Sequence, residues 1–442
     1  MTLPIEHDRL GQLLIAADDG LDMDAARLQL ERAAIALSYD SDAAAQAWGQ
    51  AALATIARCG TRMFRGGVYL YAATDTTVSL GHAPCRALSR MMIDLGCRTS
   101  GTPSRPIRIH VGAAPNTKAD LHVMADCWRG IVSPEPLTRG TGGHAISGGL
   151  AGAMAVTEAF RRTVLGDHLA CRRTQVLSAW DPVDAYVGGP LEFLPQQLWL
   201  LGMGNLGQAA LSLLAMLPYN DTGRVKLVIQ DSDRAGPENL STQVLTEHDW
   251  IRRKKAACAA DYARSFGFDV SICERRFGAS TRPEEDEPRI ALVGVDNLKA
   301  RRAAAMAGFD LVLDAGLGST AAEIFDVRLH AFPGLQAAET IWPPDLELVR
   351  DEAAGNAGLR KLVAEGRLDA CGAMTIAGQS LGVPSTAVVA AALQLGQLCR
   401  ALATGSYCDF INVELMALDR VSAHSTRIDR DLPGLRAQML NA

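Results

Sequence analysis

The chain has 442 residues, and 48% of them are hydrophobic, which is enough to build two or three domains with an ample core. Its formal net charge of −6 and the lack of a long basic tract argue against a nucleic-acid-binding surface. No apolar run reaches the ~18 residues of a membrane-spanning helix, and the N-terminus does not resemble a signal peptide. We therefore expect a cytoplasmic protein that binds neither nucleic acid nor a membrane.

Ten cysteines are scattered along the chain, and no two of them form a CxxC pair. In a reducing cytosol most of them are expected to be small, buried hydrophobic residues. The nine histidines do not show the spacing of a metal-binding motif such as HExxH. The sequence therefore predicts no zinc site.

The chain is predicted to have two halves of related structure. Its first 40 residues read as helices, because leucines and alanines recur there at roughly helical spacing with charges between them. A segment rich in proline and glycine lies between the halves. The predicted organisation is an N-terminal helical extension (1–40), a first half (41–165), a linker (166–195), a second half (196–425) and a tail (426–442).

An internal repeat supports this division. GQAAL occurs at 49–53 and at 207–211, and an ungapped alignment from there brings Asp75 opposite Asp233. Two further matches follow in the same order: 110–119 with 292–300, and the small-residue helical stretches 148–164 and 382–402. Three matches in one order indicate a duplication.

The first copy lacks the groups that could bind a phosphate. The alignment gives these differences: Ala44 for Gly202, Gln46 for Gly204, Ala73 for Asp231, and Ala114 or Pro115 for Asp296. The apolar residues of the second copy are retained in the first copy. The first half is therefore predicted to be structural and inactive.

The second half begins with a strand, a glycine turn, a helix, a strand and an acidic residue. A short apolar run ends at Gly202-Met203-Gly204-Asn205-Leu206-Gly207, a helical pattern follows, and a second apolar run ends at Asp231. In a nucleotide-binding βαβ unit, the first two glycines allow a tight turn and close backbone approach to phosphate, and the third lets helix and strand pack. The same layout occurs in dehydrogenases, so a nicotinamide-dependent oxidoreductase stays an alternative.

A second carboxylate is expected at the same edge of the sheet. The apolar run at 290–294 is followed by Val295-Asp296-Asn297. The carboxyl ends of neighbouring strands converge on one crevice in a doubly wound sheet, so Asp231 and Asp296 should both face the ligand. An aspartate beside a lysine suggests Mg²⁺ and phosphate groups.

These motifs resemble the adenylating domain shared by ThiF, MoeB and the ubiquitin-activating enzymes. The segments concerned are GxGxxG at 202–207, D-x-D at 231–233, NL-x-x-Q at 239–243, the helix with Lys254-Lys255-Ala256, and V-D-N at 295–297. The resemblance covers about 190–420 and, more weakly, 41–165. It implies an α/β fold of two tandem Rossmann-like, ThiF-type halves with the first degenerate, as in the ubiquitin-activating type. The chain would be a monomeric pseudo-dimer or a homodimer.

The resemblance implies ATP and Mg²⁺ as ligands and assigns a role to several residues. Asp231 would bind the ribose, Asn239 would shape the nucleotide site, Lys255 would contact phosphates, and Asp296 would position Mg²⁺ and support catalysis. The nucleotide site would also include Gly202, Gly204, Asn205, Gly207, Asp233, Gln243 and Asn297.

The sequence departs from the family pattern at three places. Thr242 stands where the family usually has a phosphate-binding arginine. The cysteines that bind zinc in many relatives are missing after Phe332-Pro333-Gly334. In the family, the partner half often inserts an arginine into the active half. Arg27 and Arg32 are the candidates for this arginine in the present chain.

Cys371 resembles the thioester cysteine of the smaller ubiquitin-like-activating enzymes, and a thiolate suits acyl transfer from a mixed anhydride. The resemblance therefore implies activation of a ubiquitin-like protein at its C-terminal glycine, followed by transfer to a ubiquitin-conjugating-like enzyme. The one-sided duplication resembles the activating component of bacterial ubiquitin-like conjugation operons linked to phage defence. The alternatives are a MoeB-like sulfur-carrier adenylyltransferase without a cysteine step, the oxidoreductase, and a non-catalytic scaffold.

Overall fold

The structure is a computed structural model of the chain. It describes residues 8–18, 20–71, 75–81, 86–184, 188–318, 321–344, 346, 382–427 and 437–439.

The described residues form alternating helices and strands. The helices are α1 (Arg9–Ala17), α2 (Met23–Arg32), α3 (Ser41–Ala44), α4 (Ala47–Met63), α5 (Leu88–Asp94), α6 (Ala145–Thr163), α7 (Asn205–Leu214), α8 (Lys255–Arg264), α9 (Leu298–Ala305), α10 (Ala338–Ile341) and α11 (Pro384–Thr404). The strands are β1 (Ala34–Tyr39), β2 (Gly67–Tyr71), β3 (Ile107–Val111), β4 (Leu121–Asp126), β5 (Arg129–Ser133), β6 (Gln175–Ser178), β7 (Phe193–Pro195), β8 (Gln197–Leu201), β9 (Lys226–Gln230), β10 (Asp269–Cys273), β11 (Ile290–Val293), β12 (Leu311–Leu317), β13 (Asp326–Phe332), β14 (Ser406–Glu414), β15 (Ser422–Arg427) and β16 (Ala437–Met439).

The strands form two large sheets with the same topology, which confirms the two tandem Rossmann-like halves. The first sheet has the order β2-β1-β3-β4-β5-β6, and the second has β10-β9-β8-β11-β12-β13-β14-β15. In the first sheet β2-β1, β1-β3 and β3-β4 pair in parallel, and β4-β5 and β5-β6 pair antiparallel. In the second sheet the corresponding pairs β9-β8, β8-β11 and β11-β12 are parallel, and β12-β13 and β13-β14 are antiparallel. The second sheet adds β10 at one edge and β15 at the other.

The glutamine of the repeated GQAAL segment makes matching hydrogen bonds in both halves. Gln50 Nε2 donates to the carbonyl oxygen of Ala44 at 2.8 Å, and its Oε1 accepts from the backbone N–H of Ser79 at 2.7 Å. Gln208 Nε2 donates to the carbonyl of Met203 at 3.0 Å, and its Oε1 accepts from the N–H of Leu245 at 3.0 Å. A buried amide must satisfy both its donors and its acceptor, so this glutamine holds the turn before its helix in each copy.

The first sheet extends past the predicted limits of the first half. Its strand β1 lies at Ala34–Tyr39, inside the stretch that the sequence assigned to helices. Its strand β6 lies at Gln175–Ser178, inside the predicted linker. Both strands are short. The apolar residues of β1 also fit helical spacing, and β6 lies just before a stretch rich in proline and glycine that reads as a linker.

The helices of the two halves pack on each other around the core. Helix α6 lies so close to α7 of the second half that a Cβ atom at Gly149 would come within 2.4 Å of Leu213 Cδ2. The hydroxyl of Thr157 donates to that of Ser385 at 2.9 Å, which joins α6 to α11 in the buried interior. By length and composition α11 could cross a membrane, but 83% of its most apolar window is buried in the protein. It serves here as a core helix.

Candidate functional site

The first and third glycines of the predicted turn have no space for a side chain. Gly202 directly follows β8 and has a φ of +89°, which L-residues other than glycine rarely adopt. A Cβ atom at Gly207 would lie 1.8 Å from the carbonyl oxygen of Gly202. The turn can therefore form only with glycine at both positions.

The second glycine faces open space. Gly204 is the N-cap of α7, and a Cβ atom there would meet no heavy atom within 4 Å. The backbone N–H groups at the start of an α-helix favour an anion, and a glycine there lets a phosphate approach the backbone. This fits the predicted phosphate contact.

Asp231 supports the glycine turn directly. Its Oδ2 accepts from the backbone N–H of Met203 at 2.6 Å, and its Oδ1 accepts from the N–H of Asp233 at 2.7 Å. The side chain is half-buried at the end of β9. A ribose hydroxyl that bound Asp231 would therefore hydrogen-bond to carboxylate oxygens that already hold the loop in place.

Lys255 begins α8 and lies beside the same loop. Its backbone N–H donates to the carbonyl of Asp233 at 3.0 Å, and its Nζ lies 3.7 Å from Asp233 Oδ2. The lysine side chain is 11% exposed, whereas that of Asp233 is 63% exposed. The Lys255 ammonium is mostly buried and has one exposed carboxylate partner, so its positive charge stays available to an incoming phosphate.

Asn239 and Gln243 are engaged with the protein itself. The Oδ1 of Asn239 accepts from the backbone N–H of Gly236 at 2.9 Å and shapes the 3-10 turn at Pro237–Ser241. Gln243 is buried, and its Oε1 accepts from Gln208 Nε2 at 2.7 Å. Both side chains thus hold the scaffold around the nucleotide loop.

Asp296 and Asn297 follow β11 on the neighbouring loop. Asp296 is exposed and makes no hydrogen bond or ion pair with the residues that the structure describes. Asn297 caps α9, because its Oδ1 accepts from the N–H groups of Lys299 at 2.8 Å and Ala300 at 3.2 Å. Asp296 is therefore the carboxylate of this loop that stays available for a cation.

The strand order brings these loops to one edge of the sheet. Strand β8 lies between β9 and β11, and all three are parallel. The N–H of Gly202 donates to Gln230 at 2.8 Å, and the N–H of Gly294 donates to Leu201 at 2.9 Å. The glycine turn, Asp231 and Asp296 therefore lie at the same edge of the sheet, and their joint binding of a ligand stays a prediction. A Mg²⁺ ion there would be held by Asp296 together with phosphate oxygens, which suits a hard cation.

Arg301 and Asp314 support the loop of Asp296. Arg301 is the arginine that follows V-D-N in the motif that resembles the family, whereas the sequence did not indicate Asp314. Arg301 Nε donates to the carbonyl of Val295 at 2.8 Å, and its Nη1 donates to Asp314 Oδ2 at 3.2 Å. Burial raises the pKa of Asp314 to about 7, although the charge of Arg301 opposes this rise. No local motif marks the pair, because its members lie on different elements.

Arg9 is a further residue that the sequence did not indicate, and its helix packs on the second half. It lies on α1, is 9% exposed, and has an Nη1 atom without a hydrogen-bond partner among the described residues. Burial lowers its pKa, and the charge of Glu238 opposes this. Helix α1 packs on the 3-10 turn at Pro237–Ser241. The N-terminal extension thus places a buried guanidinium beside the second half.

The two arginines suggested by the sequence lie elsewhere. Arg27 Nε donates to Asp8 Oδ2 at 3.0 Å, and Arg65 donates to the other oxygen of the same carboxylate. Arg32 is exposed at the end of α2. Arg27 therefore anchors the extension.

Cys371 lies outside the described residues. The described chain resumes at Gly382, whose carbonyl oxygen accepts from Asn205 Nδ2 at 2.9 Å. Asn205 also has a buried Oδ1 without a hydrogen-bond partner among the residues that the structure describes. The first described residue after the cysteine-bearing segment is thus bonded to the glycine turn.

Among its described residues, the first half differs from the second at the edge of the sheet where the glycine turn lies. Helix α3 stands where the second half has its glycine turn, and Asp40 caps it by accepting from Ala43 N–H at 2.7 Å. The other Asp40 oxygen accepts from Ala114 N–H at 2.8 Å. A cavity of about 80 Å³ lies at this edge, and it is lined by the side chains of the half itself.

The chain matches two family models over most of its length. The BilD N-terminal domain matches residues 34–179, and the BilD C-terminal domain matches residues 194–405. The bacterial E1-like protein BilD of Collimonas sp. (strain OK412) is 33% identical over 432 residues, which is 93% of this chain and 92% of that protein.

Several solved structures are also similar. MccB of E. coli, in a structure with succinimide, has 15% identity and a TM-score of 0.33, and the match covers 53% of this chain and 64% of MccB. PaaA has 13% identity and a TM-score of 0.33, with 52% and 72% covered. TcdA (CsdL) has 15% identity and a TM-score of 0.22, with 25% of this chain and 44% of TcdA covered.

The two BilD domains match the two halves of this chain in the same order, and the similarity to the Collimonas protein runs through both. The glycine turn and its carboxylates lie in the half that matches the C-terminal domain. The chain therefore belongs to the BilD family of bacterial E1-like proteins.

Proposed function

We propose that this protein activates a ubiquitin-like protein with ATP, in the crevice at the carboxyl ends of β8, β9 and β11. The observation that carries this proposal is the open approach to the backbone at Gly204, at the N-terminus of α7, with Lys255 and Asp296 on the adjoining loops. A triphosphate needs such donors together with a cation, and a carboxylate there can hold Mg²⁺.

In the first step, a C-terminal carboxylate oxygen of the partner attacks the α-phosphorus of ATP. The bond to the β-phosphate oxygen breaks, pyrophosphate leaves, and an acyl-adenylate forms. Lys255 and the N–H groups at the start of α7 stabilise the charge that moves to the leaving phosphates. Mg²⁺ bound at Asp296 would supply further charge stabilisation.

Arg9 contributes a second cation to this step. It comes from the N-terminal extension that packs against both halves, and its unpartnered Nη1 lies on a helix in contact with the 237–241 turn. It provides the positive charge that the family usually draws from an arginine at the position of Thr242. Its Nη1 is closed off from solvent in this structure, so the guanidinium would act through its charge.

In the second step, the thiolate of Cys371 attacks the carbonyl carbon of the acyl-adenylate. The bond to the phosphate oxygen breaks, AMP leaves, and a thioester forms. A conjugating-type enzyme then receives the acyl group on its own thiol. This protein would therefore be the activating component of a bacterial ubiquitin-like conjugation operon of the kind linked to phage defence.

The test is ATP–pyrophosphate exchange with the ubiquitin-like protein encoded beside this gene, followed by a non-reducing gel. Exchange together with a thiol-sensitive adduct that Cys371→Ala removes is the expected result. Exchange without an adduct would support a sulfur-carrier adenylyltransferase. ATP binding without exchange would support a scaffold, and NAD binding without ATP binding would support an oxidoreductase.

A further inference from the structure

The first half inserts an arginine side chain into the second half, next to the proposed nucleotide loop. Arg62 lies in the last turn of α4, and its side chain is only 9% exposed. Its Nε donates to the carbonyl oxygen of Gln243 at 2.7 Å, and its Nη2 donates to that of Thr246 at 3.2 Å. Its Nη1 donates to the carbonyl of Arg58 on its own helix at 3.0 Å, which fixes the direction of the guanidinium. The guanidinium therefore holds the backbone of a segment that belongs to the other half.

The segment that Arg62 holds is also bonded to the helix that follows the glycine turn. Gln243 Oε1 accepts from Gln208 Nε2 at 2.7 Å. The backbone N–H of Leu245 donates to Gln208 Oε1 at 3.0 Å, and the hydroxyl of Thr246 donates to the same oxygen at 3.2 Å. The side chains of Gln208, Gln243 and Thr246 are buried, so these polar groups depend on one another for their hydrogen bonds.

Gln208 completes the connection to the glycine turn. Its Nε2 also donates to the carbonyl oxygen of Met203 at 3.0 Å, and the N–H of Met203 donates to Asp231 Oδ2 at 2.6 Å. Met203 lies between the first two glycines of the turn, and both of its backbone polar groups are thus held by buried or half-buried side chains. A continuous series of hydrogen bonds therefore runs from Arg62 in the first half to the turn that would bind phosphate.

Arginine occurs at this position in one of the two copies of the fold. The ungapped alignment of the halves places Asn220 opposite Arg62 and Met216 opposite Arg58. Arg58 reaches the second half as well, because its Nη2 donates to the hydroxyl of Tyr262 on α8 at 3.2 Å. The first half lacks the residues expected to bind phosphate, yet it carries the two arginines that contact the half expected to bind it. This difference indicates that the end of α4 acts on the second half.

We propose that Arg62 is a positioning residue that holds the glycine turn of the second half in its phosphate-binding shape. Without its donors, the carbonyl oxygens of Gln243 and Thr246 would lose these partners inside the protein, and the segment could shift. Gln208 would then shift with the segment, and the Met203 carbonyl would no longer be held in place. The inference rests on the proposed binding of ATP and gives the first half a part in it.

The ion pair of Arg62 with Glu247 provides a matched control. Arg62 Nη2 donates to Glu247 Oε1 at 2.9 Å, and the Glu247 side chain is 65% exposed. An exposed ion partner contributes little, because water and salt screen its charge. Glu247→Gln therefore removes the charged partner and leaves the two bonds to carbonyl oxygens in place.

The first experiment measures nucleotide affinity by calorimetric titration of the full chain with the ATP analogue AMPCPP and Mg²⁺. Arg62→Met keeps most of the aliphatic stem and removes every donor, so the Kd should rise at least about tenfold. Arg62→Lys keeps the charge and some of the donors, and its Kd should lie between those of the wild type and Arg62→Met. Glu247→Gln should stay within about twofold of the wild type. An unchanged Kd in Arg62→Met, or an equal rise in Glu247→Gln, would overturn the proposal.

The second experiment follows hydrogen exchange of the full chain without nucleotide. In Arg62→Met the backbone N–H groups of Met203 and Leu245 should exchange at least about tenfold faster, whereas those of β3 and β4 should keep their wild-type rates. Faster exchange in both halves would mean that Arg62 only stabilises the fold, and this would overturn the proposal. If Arg62→Met does not fold, Thr246→Val interrupts the same series of bonds, and unchanged exchange at Met203 in that variant would equally overturn it.

The two measurements separate this inference from the proposed function. Wild-type protein that did not bind AMPCPP would overturn the proposed function, whereas the exchange rates would still show whether Arg62 holds the glycine turn. Nucleotide binding by the wild type with unchanged exchange at Met203 in Arg62→Met would overturn the inference and leave the proposed function intact.

Discussion

At the residue scale, the proposed nucleotide site combines side chains that hold its loops in place with a few that stay available to a ligand. Asp231, Asn239 and Gln243 have hydrogen bonds to the protein at the atoms that a nucleotide would need. Asp296 has no such partner among the described residues, and Lys255 has one exposed partner. Substitution of Asp296 or Lys255 should therefore change the rate of the reaction more than the stability of the fold.

The aspartates of the two halves test this distinction. Asp296→Ala should reduce ATP–pyrophosphate exchange by at least about a hundredfold, since it removes the carboxylate that would hold the cation. Asp75→Ala is the matched control from the first half. Asp75 accepts from the N–H of Ser89 at 3.0 Å at the start of α5, far from any proposed chemistry. Its exchange rate should stay within about twofold of the wild type, and equal loss from both variants would contradict the division into active and inactive halves.

The buried Asp314 predicts a pH-dependent contribution to stability. Its pKa is raised to about 7 by burial, above the value of ~3.9 in an unfolded chain. The stabilisation from the protonated form is complete below the unfolded pKa and is lost as the pH rises through 7. The free energy of unfolding of the wild type, relative to Asp314→Asn, should fall by about 1 kcal/mol per pH unit between pH 4 and 7. Urea unfolding of both proteins at several pH values measures it, and a constant difference would show that Asp314 is ionised throughout.

At the scale of elements, the N-terminal helix connects the two halves. The carboxylate of Asp8 caps α1 by accepting from Gly11 N–H at 3.0 Å, and it also binds Arg27 of α2 and Arg65 after α4. These bonds fix α1 on the first half while it packs on the 237–241 turn of the second. The position of Arg9 therefore depends on a network that does not touch the nucleotide loop.

Weakening the hydrogen-bond network around Asp8 should lower activity, although Asp8 itself takes no part in the proposed reaction. In Asp8→Asn the two arginines lose a charged partner, which should cost roughly 2 kcal/mol locally because both are partly exposed. We expect the KM for ATP in the exchange assay to rise at least fivefold, because Arg9 is no longer held in place. Arg32→Ala, at the exposed end of the neighbouring helix, is the control and should leave KM unchanged. An unchanged KM in Asp8→Asn would mean that α1 is held by its apolar contacts alone.

The parts of this site that the sequence predicted are those fixed by local chain geometry. A strand, a glycine turn and a helix occupy consecutive residues, so Gly202, Gly204 and Asp231 could be placed from spacing and apolar pattern. The strand β1 was missed because its short apolar pattern also fits a helix. Arg9, Asp314 and Arg62 depend on contacts between elements that are distant in the chain, and periodicity carries no information about such contacts.

At the scale of the whole molecule, one duplicated fold serves two purposes. The same order of strands and the same buried glutamine hold each half together. In the first half, however, α3 replaces the glycine turn, and Asp40 bonds to the backbone at both of its oxygens. That half instead supplies contacts to its neighbour, such as Arg62, whose Nε donates to the carbonyl of Gln243 at 2.7 Å.

This asymmetry predicts the stoichiometry of nucleotide binding. Calorimetric titration of the full chain with the non-hydrolysable analogue AMPCPP and Mg²⁺ should give one site per chain, because the glycine turn, the open start of α7 and the exposed Asp296 all belong to the second half. Gly204→Val should abolish this site, since its side chain would fill the approach to the α7 backbone. Gly189→Val is the matched change and should leave the stoichiometry at one, because a Cβ atom there also meets no heavy atom within 4 Å and the residue does not have a positive φ. Two sites per chain, or a site that survives Gly204→Val, would mean that the degenerate half binds nucleotide after all.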